Sequence, residues 1–239
     1  MSRITQVEAV KGSQWCLQVT VNRFRDVIDK KLRASLGLDV NDTIEWLSPL
    51  MHDSYAEYQD KEFLDLLSVH LKDRSLESFW PRNGAVWDGL AKTDKGDIIL
   101  VEAKSHISEL KSSCKACPES MDSIKDSIKE TAGFYKSDSP DNWLDGYYQY
   151  ANRLAHLYLL RQLNGIPAWL VFVYFVNDYT VAGPESVKEW QPAIADIHKH
   201  LGIDTERLGP YVVDVFIDIE GVIKDARNED VRKAGLLAY

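Results

Sequence analysis

The chain has 239 residues, 45% of them hydrophobic, which is enough for one domain with a full hydrophobic core. Its formal net charge of −9 predicts weak non-specific affinity for nucleic acid, although a local basic groove is compatible with that charge. Three cysteines, an odd number, argue against a disulfide framework, and the longest apolar run, residues 167–176, is too short to span a bilayer, so we expect a cytoplasmic protein with no membrane partner.

The first part of the chain, residues 1–75, is predicted to be mainly helical. Residues 14–21 alternate like a strand, but the helical composition of residues 22–36 favours a helix for both segments. Residues 53–71 have the apolar spacing of an amphipathic helix, and Glu57 lies in its first half. Glu57 is therefore a candidate acidic site residue, with ordinary helix capping as an equally supported alternative.

A β-hairpin is predicted from two apolar segments, residues 85–92 and 97–105. The residues between them, 93–96, have the sequence Thr-Asp-Lys-Gly, which is typical of a turn. If the turn is centred on Lys95, Asp88 on the first strand lies directly opposite Glu102 on the second, with Cβ atoms roughly 5 Å apart.

Two facing carboxylates, Asp88 and Glu102, repel each other and lose hydration unless a cation lies between them. A divalent cation such as Mg²⁺ prefers carboxylate and carbonyl oxygens. Because side chains alternate along a strand, Lys104 shares the face of Glu102 while Ala103 points away, and the Ala103 carbonyl is a candidate third ligand. The alternative is a solvated hairpin edge on which Glu102 pairs with Lys104; the apolar run at 98–101 favours a buried site.

The rest of the chain predicts helices that alternate with strands. Helices are predicted at residues 121–136, at 143–163 and after Ser186, and strands at 168–176 and 211–219. The crossover between two of these strands favours parallel pairing, so we expect a mixed sheet. The whole chain is expected to form one α/β domain, with its core at residues 76–222 and a tail at 223–239.

The motif Trp87-Asp88, the strand after it and Glu102-Ala103-Lys104 together resemble the PD-(D/E)XK nuclease superfamily. The resemblance implies a restriction-endonuclease-like α/β/α sandwich with a central mixed sheet and, here, an N-terminal helical region. It also implies that Asp88 and Glu102 bind Mg²⁺ or Mn²⁺ and that Lys104 positions or activates the attacking water. Glu57, on the preceding helix, would be an additional acidic residue.

The resemblance is nearest to the branch that contains the RecB and lambda exonuclease domains, because a glutamine on a later helix, Gln149, matches that branch. Two positions depart from the pattern: Trp87 replaces proline, and Arg153 stands where the branch has a tyrosine four residues after the glutamine. Arg153 is a candidate phosphate contact, but an exposed charge on the helix surface is the favoured interpretation.

The predicted function is a metal-dependent nuclease that hydrolyses phosphodiester bonds of nucleic acid, with DNA as the expected partner. The alternative is a catalytically inactive protein of the same fold that serves as a binding or scaffolding module. Cys114 and Cys117 have zinc-ligand spacing, with two free thiols in a loop as the favoured alternative. The sequence leaves open DNA or RNA, exonuclease or endonuclease, and the oligomeric state.

Overall fold

Residues 3–224 are described by a computed structural model of the protein. The strands are β1 (Arg3–Ile4), β2 (Ile44–Ser48), β3 (Glu57–Tyr58), β4 (Gly89–Thr93), β5 (Ile98–Lys104), β6 (Ala168–Val176) and β7 (Val212–Asp218). The helices are α1 (Gly12–Arg23), α2 (Arg25–Leu36), α3 (Asp60–Leu66), α4 (Leu76–Phe79), α5 (Pro118–Phe134), α6 (Tyr148–Arg161), α7 (Val187–Leu201) and α8 (Thr205–Leu208).

A five-stranded sheet with the order β2-β4-β5-β6-β7 forms the centre of the molecule. The pairs β2–β4 and β4–β5 are antiparallel, whereas β5–β6 and β6–β7 are parallel, so the sheet is mixed as predicted. In the hairpin, Leu90 lies opposite Leu100 and Lys92 opposite Ile98. This register is centred on Lys95, in agreement with the turn prediction.

Helices cover both faces of the sheet because β5 is apolar on both sides. Ile98 and Leu100 pack into a core with side chains from α3 to α8, whereas Ile99 and Val101 pack on the opposite face against α1 and α2. Burying each such aliphatic side chain contributes about 1.5–3 kcal/mol. The hairpin is therefore packed on both faces, and the end of it that lies away from the turn is fixed in position.

The helix predicted at residues 53–71 is wrong. The segment contains the short strand β3, which pairs with β1, and only Asp60–Leu66 is α-helical. Ser54 and Tyr55 have positive φ angles of 54° and 47°, which a right-handed helix does not accommodate. No strand is predicted at residues 44–48 either, yet β2 forms an edge of the central sheet there.

Several other elements follow the prediction closely. Strand β6 has the predicted bounds, and the helix at residues 14–36 is confirmed as α1 and α2, separated at Phe24. Helix α6 begins later than predicted because residues 140–144 form a 3₁₀ turn before it. The predicted tail lies mostly outside the described residues. Within residues 3–224, none of the helices combines the length and apolar character needed to cross a bilayer.

Candidate functional site

The candidate site is a cleft of about 360 Å³ between the start of β4 and the first half of α6. Its walls include Glu57, Val86, Asp88, Gln149 and Arg153. Glu102 and Lys104, at the end of β5, are connected to these walls by hydrogen bonds and are almost completely buried. Most of the candidate residues therefore converge on the end of the hairpin that lies away from its turn.

Trp87 explains how β3 reaches this cleft. Its backbone N–H donates a 3.0 Å hydrogen bond to the Tyr58 carbonyl, so the chain just before β4 pairs with β3. Glu57 precedes Tyr58 and is brought to the cleft wall on a strand, not on the predicted helix. The residue thus reaches the site by a route that the sequence pattern does not indicate.

Asp88 stands just before β4, and one further step of the observed register places it opposite Glu102. Its Oδ2 accepts a 2.8 Å hydrogen bond from the Ala103 N–H. Asp88 is half-buried, and the protein packed around it disfavours the charged form of its carboxyl. Burial, and next the negative charge of Glu102, raise the pKa of Asp88 to about 8. Without a bound cation, Asp88 therefore keeps its proton to a higher pH than an ordinary carboxyl does.

Lys104 lies beside Glu102 on the same face of β5. Its ammonium is 2.5 Å from Glu102 Oε1 and donates a 3.3 Å hydrogen bond to Gln149 Oε1. Burial alone would lower the pKa of Lys104, but the carboxylates of Glu102 and Asp88 outweigh it and raise the pKa. Lys104 is therefore a fixed positive charge and a hydrogen-bond donor, not a general base at neutral pH.

Arg153 is the residue whose environment differs most from its prediction. The sequence favoured an exposed charge on the helix surface, and this prediction is wrong because Arg153 is only 5% exposed. Its Nε lies 2.6 Å from Glu102 Oε2, its Nη2 donates a 2.6 Å bond to the Val86 carbonyl, and its guanidinium lies 4.9 Å from the centre of the Trp87 ring. Arg153 follows Gln149 by one helical turn, so the shared face of α6 was the available signal.

The pKa of Glu102 follows from these two cations. Burial would raise it, but Arg153 and then Lys104 outweigh that effect and lower the pKa. Both oxygens of Glu102 are engaged, one by each cation. Glu102 is therefore ionised and held in one orientation.

Glu57 and Gln149 complete the walls of the cleft. Gln14 donates a 3.0 Å hydrogen bond to Glu57 Oε1, a contact from α1 that the sequence did not indicate. Burial raises the pKa of Glu57, although the Gln14 bond opposes the shift. The backbone N–H of Gln149 donates to Ser112 Oγ at 2.8 Å, which fixes the start of α6 and directs the Gln149 side chain towards Lys104.

His106, just after β5, and the predicted cysteine pair lie apart from this constellation. His106 Nδ1 accepts from the Ser108 N–H at 3.1 Å and begins a 3₁₀ turn. Cys114 is partly buried against the core, and the Cys117 thiol is exposed beside Ser120. Neither motif lines the cleft.

The oxygen donors of the site match Mg²⁺ or Mn²⁺ in chemical type. They are the Asp88 and Glu102 carboxyls and the Ala103 carbonyl, which faces the same strand edge as the Ala103 N–H. Besides burial, Glu102 and, more weakly, Glu57 raise the pKa of Asp88, whereas Lys104 opposes them, so a cation beside Asp88 would favour its ionised form. Among residues 3–224, however, no group of three or more His, Cys, Asp or Glu side chains is arranged to hold a metal ion. A cation here would rest on Asp88, a backbone carbonyl and a shared Glu102.

Comparison of the chain with protein-family models, with curated proteins and with solved structures finds no match. The function is therefore argued from the chemistry of the cleft.

Proposed function

We propose that the protein is a divalent-metal-dependent nuclease of the PD-(D/E)XK type, with the hydrolysis of DNA phosphodiester bonds as its reaction. The observation that carries the proposal is the facing pair Asp88 and Glu102, with Lys104 beside it, at the wall of an open cleft. Placing a second carboxyl beside the buried Glu102 carboxylate raises the pKa of that carboxyl and costs stability once it ionises, and such costs are typical of sites retained for chemistry.

The cation would be held by Asp88, Glu102 and the carbonyl of Ala103. When bound, Mg²⁺ or Mn²⁺ supplies positive charge to a phosphate oxygen and makes a bound water more acidic. Asp88 must lose its proton to act as a ligand, and its pKa of about 8 makes this deprotonation more complete as the pH rises. Metal affinity is therefore expected to increase from pH 6 to pH 9.

The fixed side chains of the cleft have separate roles. Lys104, positioned by Glu102 and Gln149, donates a hydrogen bond to the attacking water or to the phosphate as negative charge develops there. Glu57 supplies a further carboxyl, and its raised pKa brings it closer to the range in which a proton acceptor works at neutral pH.

The test is a cleavage assay with end-labelled single-stranded and double-stranded DNA in Mg²⁺, in Mn²⁺ and in EDTA. Asp88→Ala, Glu102→Ala and Lys104→Ala should each reduce cleavage at least about a hundredfold, as the loss of a preorganised catalytic group commonly does. Lys92→Ala and Asp94→Ala change the same residue types near the turn of the same hairpin and should leave cleavage unchanged. Cleavage that persists in EDTA, or full activity in any of the first three variants, would rule out this site.

A non-catalytic binding module is the second candidate. It is favoured by one observation, the engagement of both Glu102 oxygens by Lys104 and Arg153. A mobility-shift gel run beside the cleavage assay separates the candidates. A binding module would retain DNA in the gel but would not cleave it in either metal.

A further inference from the structure

Arg153 makes more contacts than a surface arginine usually makes. Its guanidinium forms an ion pair with Glu102, donates to the Val86 carbonyl and lies over the Trp87 ring. Arg153 is 5% exposed, so bulk water reaches only a small part of it. A buried, planar and multiply bonded arginine keeps one geometry, because each of its donors would lose a partner on moving.

This geometry places a permanent positive charge on one oxygen of the proposed metal ligand Glu102. Nε of Arg153 is 2.6 Å from Oε2, and the ammonium of Lys104 is 2.5 Å from Oε1. A divalent cation that shares Glu102 would lie within a few ångströms of the guanidinium. Two positive charges so close, and shielded from water, repel each other strongly. Arg153 therefore opposes the binding of the same ion that Asp88 and Glu57 attract.

On the basis of the function proposed above, we infer that Arg153 is a positioning residue for Glu102 that limits the affinity of the site for divalent cations. It holds Glu102 oriented in the metal-free protein and supplies part of the positive charge that the cation otherwise brings. The site then fills only at a higher concentration of metal than an open Asp-Glu pair would require.

Calorimetric titration of Mn²⁺ into the purified metal-free protein tests this role without an activity measurement. Arg153→Gln removes the charge and should tighten Mn²⁺ binding at least about tenfold. Arg153→Lys keeps the charge but reaches only one of the two acceptors that the guanidinium spans, so it should tighten binding by a smaller factor, about threefold. Arg161→Gln makes the same change two turns further along α6, beside Ala168, and should bind Mn²⁺ as the parent does.

Two outcomes would overturn the inference: Mn²⁺ affinity that is unchanged or weaker in both Arg153 variants, or an equal gain in Arg161→Gln. Arg153→Lys retains a cation for Glu102 and decides the question if Arg153→Gln does not fold. Asp88→Asn separates this inference from the function on which it rests. If Asp88→Asn abolishes Mn²⁺ binding but the Arg153 variants bind no more tightly, only the inference fails. If Asp88→Asn binds Mn²⁺ as the parent does, the proposed ligand set fails as well.

Discussion

Helix α6 carries two arginines with opposite environments, one in its first half and one at its last residue. Arg153 lies in the first half, where it is buried and paired with the carboxylate of Glu102. Arg161, at the other end, is half-buried; it donates a 2.9 Å bond to the Ala168 carbonyl and lies 3.2 Å from the centre of the Tyr211 ring. One arginine therefore neutralises a charge inside the protein, while the other covers a carbonyl and an aromatic surface.

The difference indicates which part of the helix the proposed function would use. Replacing a buried ion pair by apolar side chains is often neutral or stabilising, so stability alone gives little reason to keep one. The pair Arg153–Glu102 adjoins Asp88, whose burial is also costly, and all three adjoin an open cleft. The Arg161 end has no buried carboxylate in contact with its arginine within the described part of the chain. Its contacts are those of an ordinary helix end.

The largest expected difference between the two ends is in stability. Arg153→Met leaves the buried Glu102 with one cation instead of two and should cost about 3–5 kcal/mol, the range for a broken buried pair. Arg161→Met should cost less, about 1–2 kcal/mol, because it removes a bond to a neutral carbonyl and a contact with the Tyr211 ring. Urea unfolding of the metal-free proteins measures both values. Equal losses for the two variants would remove the distinction between the two ends.

The next effect is the pH dependence of stability at the Asp88 end. The folded pKa of Asp88, about 8, lies above the unfolded value of about 3.9, so between these values the folded state binds more protons than the unfolded state. Stability contributed by this group is present at low pH and is lost as the pH rises towards 8, by at most about 1.4 kcal/mol per pH unit. Asp88→Asn should remove that slope. Unfolding curves for the two proteins that stay parallel from pH 5 to pH 8 would contradict the assignment.

A smaller effect is expected for Gln149, which lies near the start of α6 and contacts Lys104. Gln149→Ala removes the acceptor that positions Lys104 and should reduce nuclease turnover about tenfold, while the free energy of unfolding changes by less than about 1 kcal/mol. Gln162→Ala, at the exposed C-terminal end of the same helix, is the matched control and should change neither. Equal turnover in both glutamine variants would show that Gln149 does not support the reaction.

The smallest effect is expected for the two cysteines outside the cleft. The double variant Cys114→Ser, Cys117→Ser should match the parent in activity and lie within about 0.5 kcal/mol of it in stability, as substitutions away from buried networks usually do. Metal analysis of the purified protein provides the check. Tightly bound zinc that disappears in the double variant would contradict this expectation.

Sequence reasoning predicts the hairpin better than its surroundings for a physical reason. The turn at 93–96 sets the register locally, so the positions of Asp88 and Glu102 follow from counting along the chain. The bounds of strand β6 are predicted equally well, because its apolar run has to be buried on both faces of the sheet. The local sequence pattern therefore identifies Asp88 and Glu102 as a pair that face each other across the two strands.

The partners of that pair depend on contacts that no local pattern contains. Glu57 reaches the cleft because Tyr58 pairs with Trp87, far along the chain, and this pairing overrides the helical spacing of the segment. Arg153 is buried because Glu102, 51 residues earlier, provides a countercharge. The burial of a charged residue is decided by its tertiary partner, so its sequence neighbours suggest an exposed position.

The central claim is that Asp88 and Glu102 share a divalent cation, and anomalous diffraction from crystals soaked in Mn²⁺ tests it most directly. The account predicts an anomalous peak bonded to Asp88, Glu102 and the Ala103 carbonyl, and no such peak in crystals of Asp88→Asn soaked in the same way. Crystals of the parent with no Mn²⁺ at these oxygens, and with Glu102 still paired only with Lys104 and Arg153, would contradict the claim.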